Sequence, residues 1–238
     1  MSKLPTKISP EPLAEAIFEL RFKSNFPADA IFGVIYNEFK DDYPGKVEQL
    51  PVLQLPAEIR KNDQNLKYSP YYAIKHENSV LQIGPRAISL SIVNNYPGWT
   101  DFFKTICNIY QKLLKTNLLE DIERTSVRYV NIFEKIDVSD FSTIKVSLKG
   151  RSLIDTRLNL STTTSTGDCT SVLRISNDVN ANVNNKIVKG SAIDIDTFIV
   201  NVNKEDFETS IKRAHSELKE LFFSCLSDEF LASLNPVS

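Results

Sequence analysis

The sequence has 238 residues, of which 42% are hydrophobic and 24% are charged, as in an ordinary packed globular domain. Lys and Arg number 28 against 30 Asp and Glu, so the chain lacks the basic excess of most nucleic-acid-binding domains. We therefore expect one sizeable core, and we do not expect a nucleic-acid partner.

The first residues and the cysteines indicate the compartment. The chain starts without the apolar h-region of a signal peptide, and no stretch reaches the roughly 18 apolar residues of a membrane span. Cys107, Cys169 and Cys225 are odd in number and form no Cys-x-x-Cys pair. These features predict a cytoplasmic protein with free thiols and no membrane association. Apolar helix faces predict burial of Cys107 and Cys225, whereas polar surroundings favour exposure of Cys169.

Glycine is scarce, at 7 of 238 residues, and the glycine-containing catalytic motifs are missing. Neither Gly-x-Gly-x-x-Gly nor Gly-x-x-x-x-Gly-Lys occurs, which argues against dinucleotide-binding and P-loop folds. Gly-x-Ser-x-Gly is also absent, which argues against a nucleophile-elbow hydrolase. No cofactor is predicted.

In the first half, alternating apolar residues predict strands, and apolar residues at 3.6 spacing predict helices. Lys75–Ser79 is expected to be a hairpin turn, and Gly84-Pro85 a bulge or an edge position. The predicted elements, in order, are a strand over 12–22, a helix from Pro27 to Tyr43, β-rich segments over 46–60 and 71–93, a helix from Trp99 to Leu114, and a strand over 125–133.

The second half is richer in strand signals and ends in helix. The Ser/Thr-rich run Thr162–Thr166 is interpreted as a strand end or an edge, and the Asn-rich run Asn177–Asn185 as a hairpin loop. The predicted elements are strands over 143–149, 156–164, 170–176 and 192–201, a helix capped by Asn203, and a short helical tail over 226–234.

Long helices follow blocks of strands and do not alternate with them one for one, which favours an α+β fold over a doubly wound α/β fold. We expect largely antiparallel sheets in two related sheet-plus-helix layers with three long amphipathic helices. The chain is predicted to form a single domain over 1–238, with possible sub-halves 1–137 and 138–238.

The Asp194-Ile195-Asp196 pair is one constellation that could carry chemistry. Two aspartates at i and i+2 on a strand point the same way and could share a divalent metal. A polar strand face opposite the apolar residues explains the same pattern, so the two aspartates are only weak metal candidates.

Four arginines, Arg21, Arg86, Arg128 and Arg174, lie within apolar strand segments. A buried guanidinium requires a partner, and pairing with a carboxylate such as Glu19 or Asp194 is the structural interpretation. The functional alternative is an anion-binding pocket, with Arg86 and Arg128 as the first choices.

The histidines offer little catalytic chemistry. His76 falls in a predicted turn, where a solvated side chain is expected, and His215 lies at the boundary of an apolar helix face. No His-x-x-x-His or His-x-Glu spacing occurs, which argues against a histidine-rich zinc site.

Three short stretches together resemble a known family: 12–22, Asn95–Trp99 with Phe102 or Phe103, and Arg128–Asn131. The closing segment with His215, 221–223 and Asp228 also fits. The chain resembles a sporadically distributed family of functionally uncharacterised prokaryotic proteins of about 250 residues, for which no activity is assigned. The resemblance implies a mobile-element or defence setting and supplies no catalytic residues.

The leading hypothesis is a non-catalytic binding or regulatory protein that acts through a protein partner, or as a homo-oligomer. A first alternative is a small-ligand or nucleotide-binding protein, with Arg21, Arg86, Arg128 and Tyr129 around a pocket between sheet and helices. A second alternative is a metal-dependent enzyme that uses Asp194 and Asp196. The three hypotheses remain open at this stage.

Overall fold

The computed structural model describes residues 4–154, 157–183 and 186–237. It confirms the α+β class, with long antiparallel strands and three helices of more than six residues in the described part of the chain. The strands are β1 Leu13–Lys23, β2 Val47–Gln49, β3 Tyr72–His76, β4 Ser79–Ile83, β5 Ala87–Val93, β6 Asp121–Glu134, β7 Ser147–Leu148, β8 Arg151–Ser152, β9 Asn159–Thr166, β10 Cys169–Val183 and β11 Lys186–Val202. The α-helices are α1 Ala28–Phe39, α2 Ala57–Asn62, α3 Trp99–Lys115, α4 Val138–Phe141, α5 Phe207–Cys225 and α6 Asp228–Ser233.

Nine strands form one sheet in the order β2-β3-β4-β5-β1-β6-β11-β10-β9, and β7 and β8 form a separate two-stranded sheet. The chain divides into two compact units, one of residues 1–16, 128–197 and 213–238, and one of residues 17–127 and 198–212. We call these unit 1 and unit 2. Strands β1, β6 and β11 and helix α5 contribute residues to both, and the predicted sub-halves 1–137 and 138–238 stay a prediction.

Both units follow the same order along the chain, as the prediction of two related sheet-plus-helix layers requires. In unit 2, β1 is followed by the meander β2 to β5, whose last strand returns beside β1 and leads into α3. In unit 1, β6 is followed by the meander β9 to β11, whose last strand returns beside β6 and leads into α5.

Aromatic side chains fill the core of unit 2. Phe207, fully buried at the start of α5, stacks on Tyr110 of α3 with ring centroids 3.8 Å apart and meets Phe18 of β1 edge-on at 6.1 Å. The Tyr110 hydroxyl donates to the Lys204 carbonyl at 2.8 Å, which satisfies the polar end of this ring.

Unit 1 has a second aromatic cluster, beside its short helices. The rings of Phe133 and Phe141 stack at 4.3 Å, and Phe230 of α6 meets Phe133 edge-on at 5.8 Å. The backbone N–H of Ser227 donates to the Phe141 carbonyl at 2.7 Å, and so holds the start of α6 beside α4. Gly190 of β11 is required here, because a Cβ atom would lie 2.0 Å from the Phe133 carbonyl oxygen.

Two secondary-structure predictions are wrong in part. The β-rich segment 46–60 forms a strand only over Val47–Gln49, and then a 3₁₀ turn over Pro51–Gln54 and the helix α2. The two prolines explain this, since Pro51 occupies a first helical position and Pro56 precedes α2, places where a missing N–H is tolerated. The predicted strand over 143–149 is reduced to Ser147–Leu148.

The Asn-rich run was also predicted incorrectly as a loop, because β10 continues through it to Val183. Asn177 is buried, and its side-chain oxygen accepts a hydrogen bond from the Val138 N–H at 2.9 Å, so this asparagine caps a backbone donor inside the fold. Asn184 and Asn185, the last residues of the predicted loop, and Thr156, the first residue of a predicted strand, lie outside the described residues.

We predict that Phe207→Ala lowers the free energy of unfolding by about 3–5 kcal/mol, because it removes a buried ring from between two others. Chemical denaturation measures the loss. Phe26→Ala is the matched control, because its ring is partly exposed and its removal is expected to change stability by about 0.5 kcal/mol. Equal effects of the two substitutions would contradict the packing described for unit 2.

Candidate functional site

In unit 1, Arg128 and Arg174 share one carboxylate. Arg128 Nε and Nη2 each lie 2.7 Å from one oxygen of Asp194, and Arg174 Nη1 lies 3.4 Å from Asp194 Oδ2. The three residues stand on the neighbouring strands β6, β11 and β10. The structural interpretation of these two arginines, pairing with a carboxylate, is therefore confirmed, and it occupies both oxygens of Asp194.

A related cluster forms in unit 2. Arg21 Nε donates to Glu19 Oε1 at 2.7 Å, and Arg124 donates to the same oxygen from β6. The Arg21 guanidinium also lies over the ring of Tyr68, 4.5 Å from its centroid. Arg21 is thus paired as well, and it stabilises the sheet through an ion pair and a cation–π contact.

Tyr129 faces away from its neighbour Arg128, because successive side chains of a strand point to opposite faces. Its ring meets that of His215 in α5 at 5.9 Å. The structure therefore does not bring Arg128 and Tyr129 together on one face of β6.

Arg86 differs from the other strand arginines. It stands half-buried in the turn between β4 and β5, and its carbonyl accepts a hydrogen bond from the Phe22 N–H at 3.0 Å. Within the described residues, no carboxylate lies within ion-pair distance of its guanidinium, so Arg86 remains a candidate for binding an anionic group.

Asp194 and Asp196 do not form a metal site of the expected kind. Asp194 is only 14% exposed and is held by two arginines. Across the described ranges, no group of three or more His, Cys, Asp or Glu side chains is arranged to hold a metal ion. Two carboxylates, one of them engaged by guanidinium groups, are a poor donor set for a divalent cation.

The thiols and His215 are placed where they are least reactive. Burial raises the pKa of Cys107, Cys169 and Cys225 to about 11, so the thiolate is a minor form at neutral pH. The expected exposure of Cys169 was wrong, because its side chain faces the helix side of β10 and is buried. Burial, with a smaller contribution from Lys219, lowers the pKa of His215 to about 3.

One concavity of unit 2 is an acidic groove of about 440 Å³. Its four carboxylates come from Glu120, Asp121, Glu123 and Glu205. Its two lysines are already engaged, since Lys23 pairs with Asp121 at 3.0 Å and Lys204 donates to the Leu119 carbonyl at 2.8 Å. This groove contains none of the predicted ligand-binding residues.

A smaller pocket of about 100 Å³ in unit 2 is lined mainly by apolar and aromatic residues. Phe32 of α1 and Tyr72 of β3 form one wall, with their rings stacked 3.7 Å apart. Arg60 of α2 and Tyr71 form another, with the guanidinium 4.9 Å from the ring centroid. Asp29, at the start of α1, adds a carboxylate to the lining.

Three exposed apolar side chains stand close in sequence to the residues that line this pocket. Of the eight large hydrophobic side chains exposed in the described residues, Phe26, Leu55 and Ile59 lie within two positions of a lining residue. The carbonyl of Leu55 accepts a hydrogen bond from Arg60 Nε at 3.1 Å, which links the Leu55 backbone to the pocket wall. Exposed apolar side chains in the neighbourhood of a concavity are a common feature of docking sites for another molecule.

Gly84 fixes the geometry of the pocket floor. A Cβ atom at this position would lie 2.6 Å from the Ser69 carbonyl oxygen, so only glycine allows this close approach of the chain before β3. The Tyr71 N–H then donates to the Ile83 carbonyl at 2.9 Å. The predicted bulge at Gly84-Pro85 is in fact the turn that positions Tyr71 and Tyr72.

Sequence analysis missed Arg60, Leu55 and Ile59, because the segment that contains them was assigned to a strand. The signal that could have identified them is Pro56, which precedes Ala57 and a run of helix-forming residues. Comparison with known proteins adds no residues to the site, since no family model matches the chain and no curated protein matches it. The predicted family resemblance therefore stays a prediction.

We predict that Asp194→Ala lowers the free energy of unfolding by about 1–3 kcal/mol, because it leaves Arg128 and Arg174 without the carboxylate that holds them. The control is Asp121→Ala, which breaks the exposed pair with Lys23 and is expected to change stability by at most about 1 kcal/mol. Denaturant titration of both variants checks this, and an Asp194→Ala protein as stable as wild type would contradict it.

We predict that stability falls as the pH is lowered from 7 to 5, by about 2 kcal/mol through His215 alone. Its pKa is about 3 in the folded protein and near 6.5 when unfolded, so the unfolded chain takes up the proton first. The stabilisation is therefore present above about pH 6.5 and is lost toward pH 3. Melting curves of wild type and His215→Gln over this pH range test this: His215→Gln should show the flatter profile, and equal slopes for the two proteins would contradict the prediction.

Proposed function

We propose that this protein is a non-catalytic binding protein that acts through a protein partner, and that the partner docks at the aromatic-walled pocket between α1, α2 and the β4–β5 turn. The observation that supports the proposal is an aromatic-walled pocket whose lining residues have three exposed apolar side chains, Phe26, Leu55 and Ile59, within two positions in sequence. In the proposal these three side chains form the rim of the docking site. Interfaces concentrate their binding energy where a side chain of one partner fills such a pocket on the other.

The size of the pocket favours a side chain over a free small molecule. Drug-sized ligands occupy roughly 300–1,000 Å³, whereas a cavity of roughly 150 Å³ holds a benzene ring. A volume of about 100 Å³ suits one aliphatic side chain, such as that of Leu or Ile. Binding of a single side chain alone is weak, so the exposed rim is needed to extend the contact.

Arg60 supports a specific chemistry for the partner. Its Nε is used by the Leu55 carbonyl, and within the described residues no carboxylate lies within ion-pair distance of its guanidinium. The terminal nitrogens of a guanidinium recognise a carboxylate in a fork geometry. We therefore propose that the partner presents an aliphatic side chain next to an Asp or Glu.

The proposed absence of catalysis is supported by the state of the reactive groups. The thiols have pKa values of about 11, and Asp194 is bound by two arginines. The cytoplasmic location and the mobile-element or defence setting rest on the sequence alone and stay predictions. Among the described residues, no helix combines the length and the apolar character that crossing a membrane requires.

We predict that Ile59→Ser and Arg60→Ala each weaken partner binding by about tenfold or more. Ile59→Ser removes apolar contact area from the proposed rim, and Arg60→Ala removes the guanidinium that would bind the carboxylate of the partner. Native mass spectrometry of tagged protein from its host identifies the bound chain, and isothermal titration with that chain measures the change in dissociation constant. The bound segment should contain an aliphatic residue beside an acidic one.

Two matched controls accompany these variants. Lys61→Ala removes the same charge one residue further along α2, and Ile187→Ser removes an aliphatic side chain that is 83% exposed in unit 1. Both should bind the partner as wild type does. If Arg60→Ala and Lys61→Ala weaken binding equally, or if no second chain is bound, the proposal is wrong.

A further inference from the structure

We propose that β9 is a self-association edge, which pairs antiparallel with β9 of a second copy of this chain. β9 is the last strand of the nine-stranded sheet, and its only sheet neighbour in the described residues is β10. This surface belongs to unit 1, and the inference is independent of the pocket in unit 2.

The register of the hairpin shows which backbone groups of β9 point outward. Gly167 and Asp168 form a two-residue turn, so Thr166 and Cys169 are a hydrogen-bonded pair, and bonded pairs alternate along the ladder. The Asn177 N–H donates to the Leu158 carbonyl at 2.9 Å at the far end, which agrees with this alternation. The residues whose N–H and C=O groups face away from β10 are therefore Asn159, Ser161, Thr163 and Ser165.

Within β9 itself, the sequence features that usually protect an edge strand against pairing are missing. Natural edge strands are blunted by charge, by proline, by a bulge or by shortness. β9 has eight residues without a charge, a proline or a glycine, and seven of the eight are Ser, Thr or Asn. The strand at the other end of the sheet, β2, has only three residues and carries Glu48 paired with Lys75 at 2.9 Å.

The composition of β9 favours an identical strand as the occupant. A twofold axis between two copies makes the pairing antiparallel, so each side chain is opposed by another neutral one and no like charges meet. The charges that flank the strand have opposite signs, Arg157 before it and Asp168 after it, so an antiparallel pair brings no like charges together at its ends. Asp168 is paired with Arg213 within its own copy at 2.7 Å. β-branched threonine also suits a strand exposed on both faces.

A single strand pair buries less than the roughly 1,600 Å² of a standard interface, so we expect a weak dimer that depends on concentration. Sedimentation velocity over a concentration series measures its dissociation constant. Thr163→Pro should raise that constant by about tenfold or more, because it removes an outward N–H from each copy but no hydrogen bond to β10. Thr163→Val keeps the N–H and the strand preference, and it should dimerise as wild type does.

A second variant keeps the proposal testable if Thr163→Pro fails to fold. Thr163→Lys is tolerated on an exposed edge, places like charges close together across the twofold axis, and should weaken the dimer more at low salt than at high salt. Arg60→Ala should leave the dimer unchanged, which separates this inference from the proposed docking pocket. A wild-type protein that stays monomeric throughout the series, or a Thr163→Pro protein with an unchanged dissociation constant, would overturn the proposal.

Discussion

The rest of the structure depends on one constraint: the main strands bury one face only. Along most of β1 and β11, buried side chains alternate with partly exposed ones, so each buried position is followed by one that is open to water. Burial of the apolar row fixes the register, because a slip of one residue would move the whole row to the wrong face. The positions of the charged side chains on the open face are then fixed as well, although these side chains contribute little to the core.

This constraint explains why several charged side chains of the open rows are held in ion pairs. Arg128 stands opposite Asp194, and Arg21 stands close to Glu19 in sequence and in space. In each case the carboxylate is the more buried partner, so the arginine side chains cover it with their apolar stems. The two networks hold these parts of the open faces in one arrangement.

The sequence predicted the parts of the fold that follow from local periodicity. The strand over 12–22 and the helix after Trp99 are in place, because their apolar residues recur at spacings of two and of 3.6. The carboxylate partners Glu19 and Asp194 could also be predicted from the sequence, since a buried guanidinium requires a carboxylate. The burial of Asn177 could not be predicted, because it depends on a backbone donor 39 positions away in sequence. The pocket was missed for the same reason, since its walls come from α1, α2 and the β4–β5 turn.

The repeated order of the two units does not lead to repeated surfaces. The meander of unit 2 contains an insertion between β2 and β3, a 3₁₀ turn followed by α2, and this insertion supplies Leu55, Ile59 and Arg60. The meander of unit 1 has one strand fewer. It begins with β9, which is the edge strand of the sheet. One topology thus supports a concave apolar site in one unit and an open backbone edge in the other, as expected when surfaces change more freely than cores.

The distribution of a few side chains makes the two units separately observable. Trp99, the single tryptophan, lies in unit 2, whereas Cys169 and Cys225 are buried in unit 1. Intrinsic fluorescence therefore follows the melting of unit 2, and alkylation of these two thiols, resolved by peptide mapping, follows the opening of unit 1. Unmodified protein thus already contains a probe for each unit. Coincident transitions would show that the shared strands couple the two units into one cooperative system, and separate transitions would show that they do not.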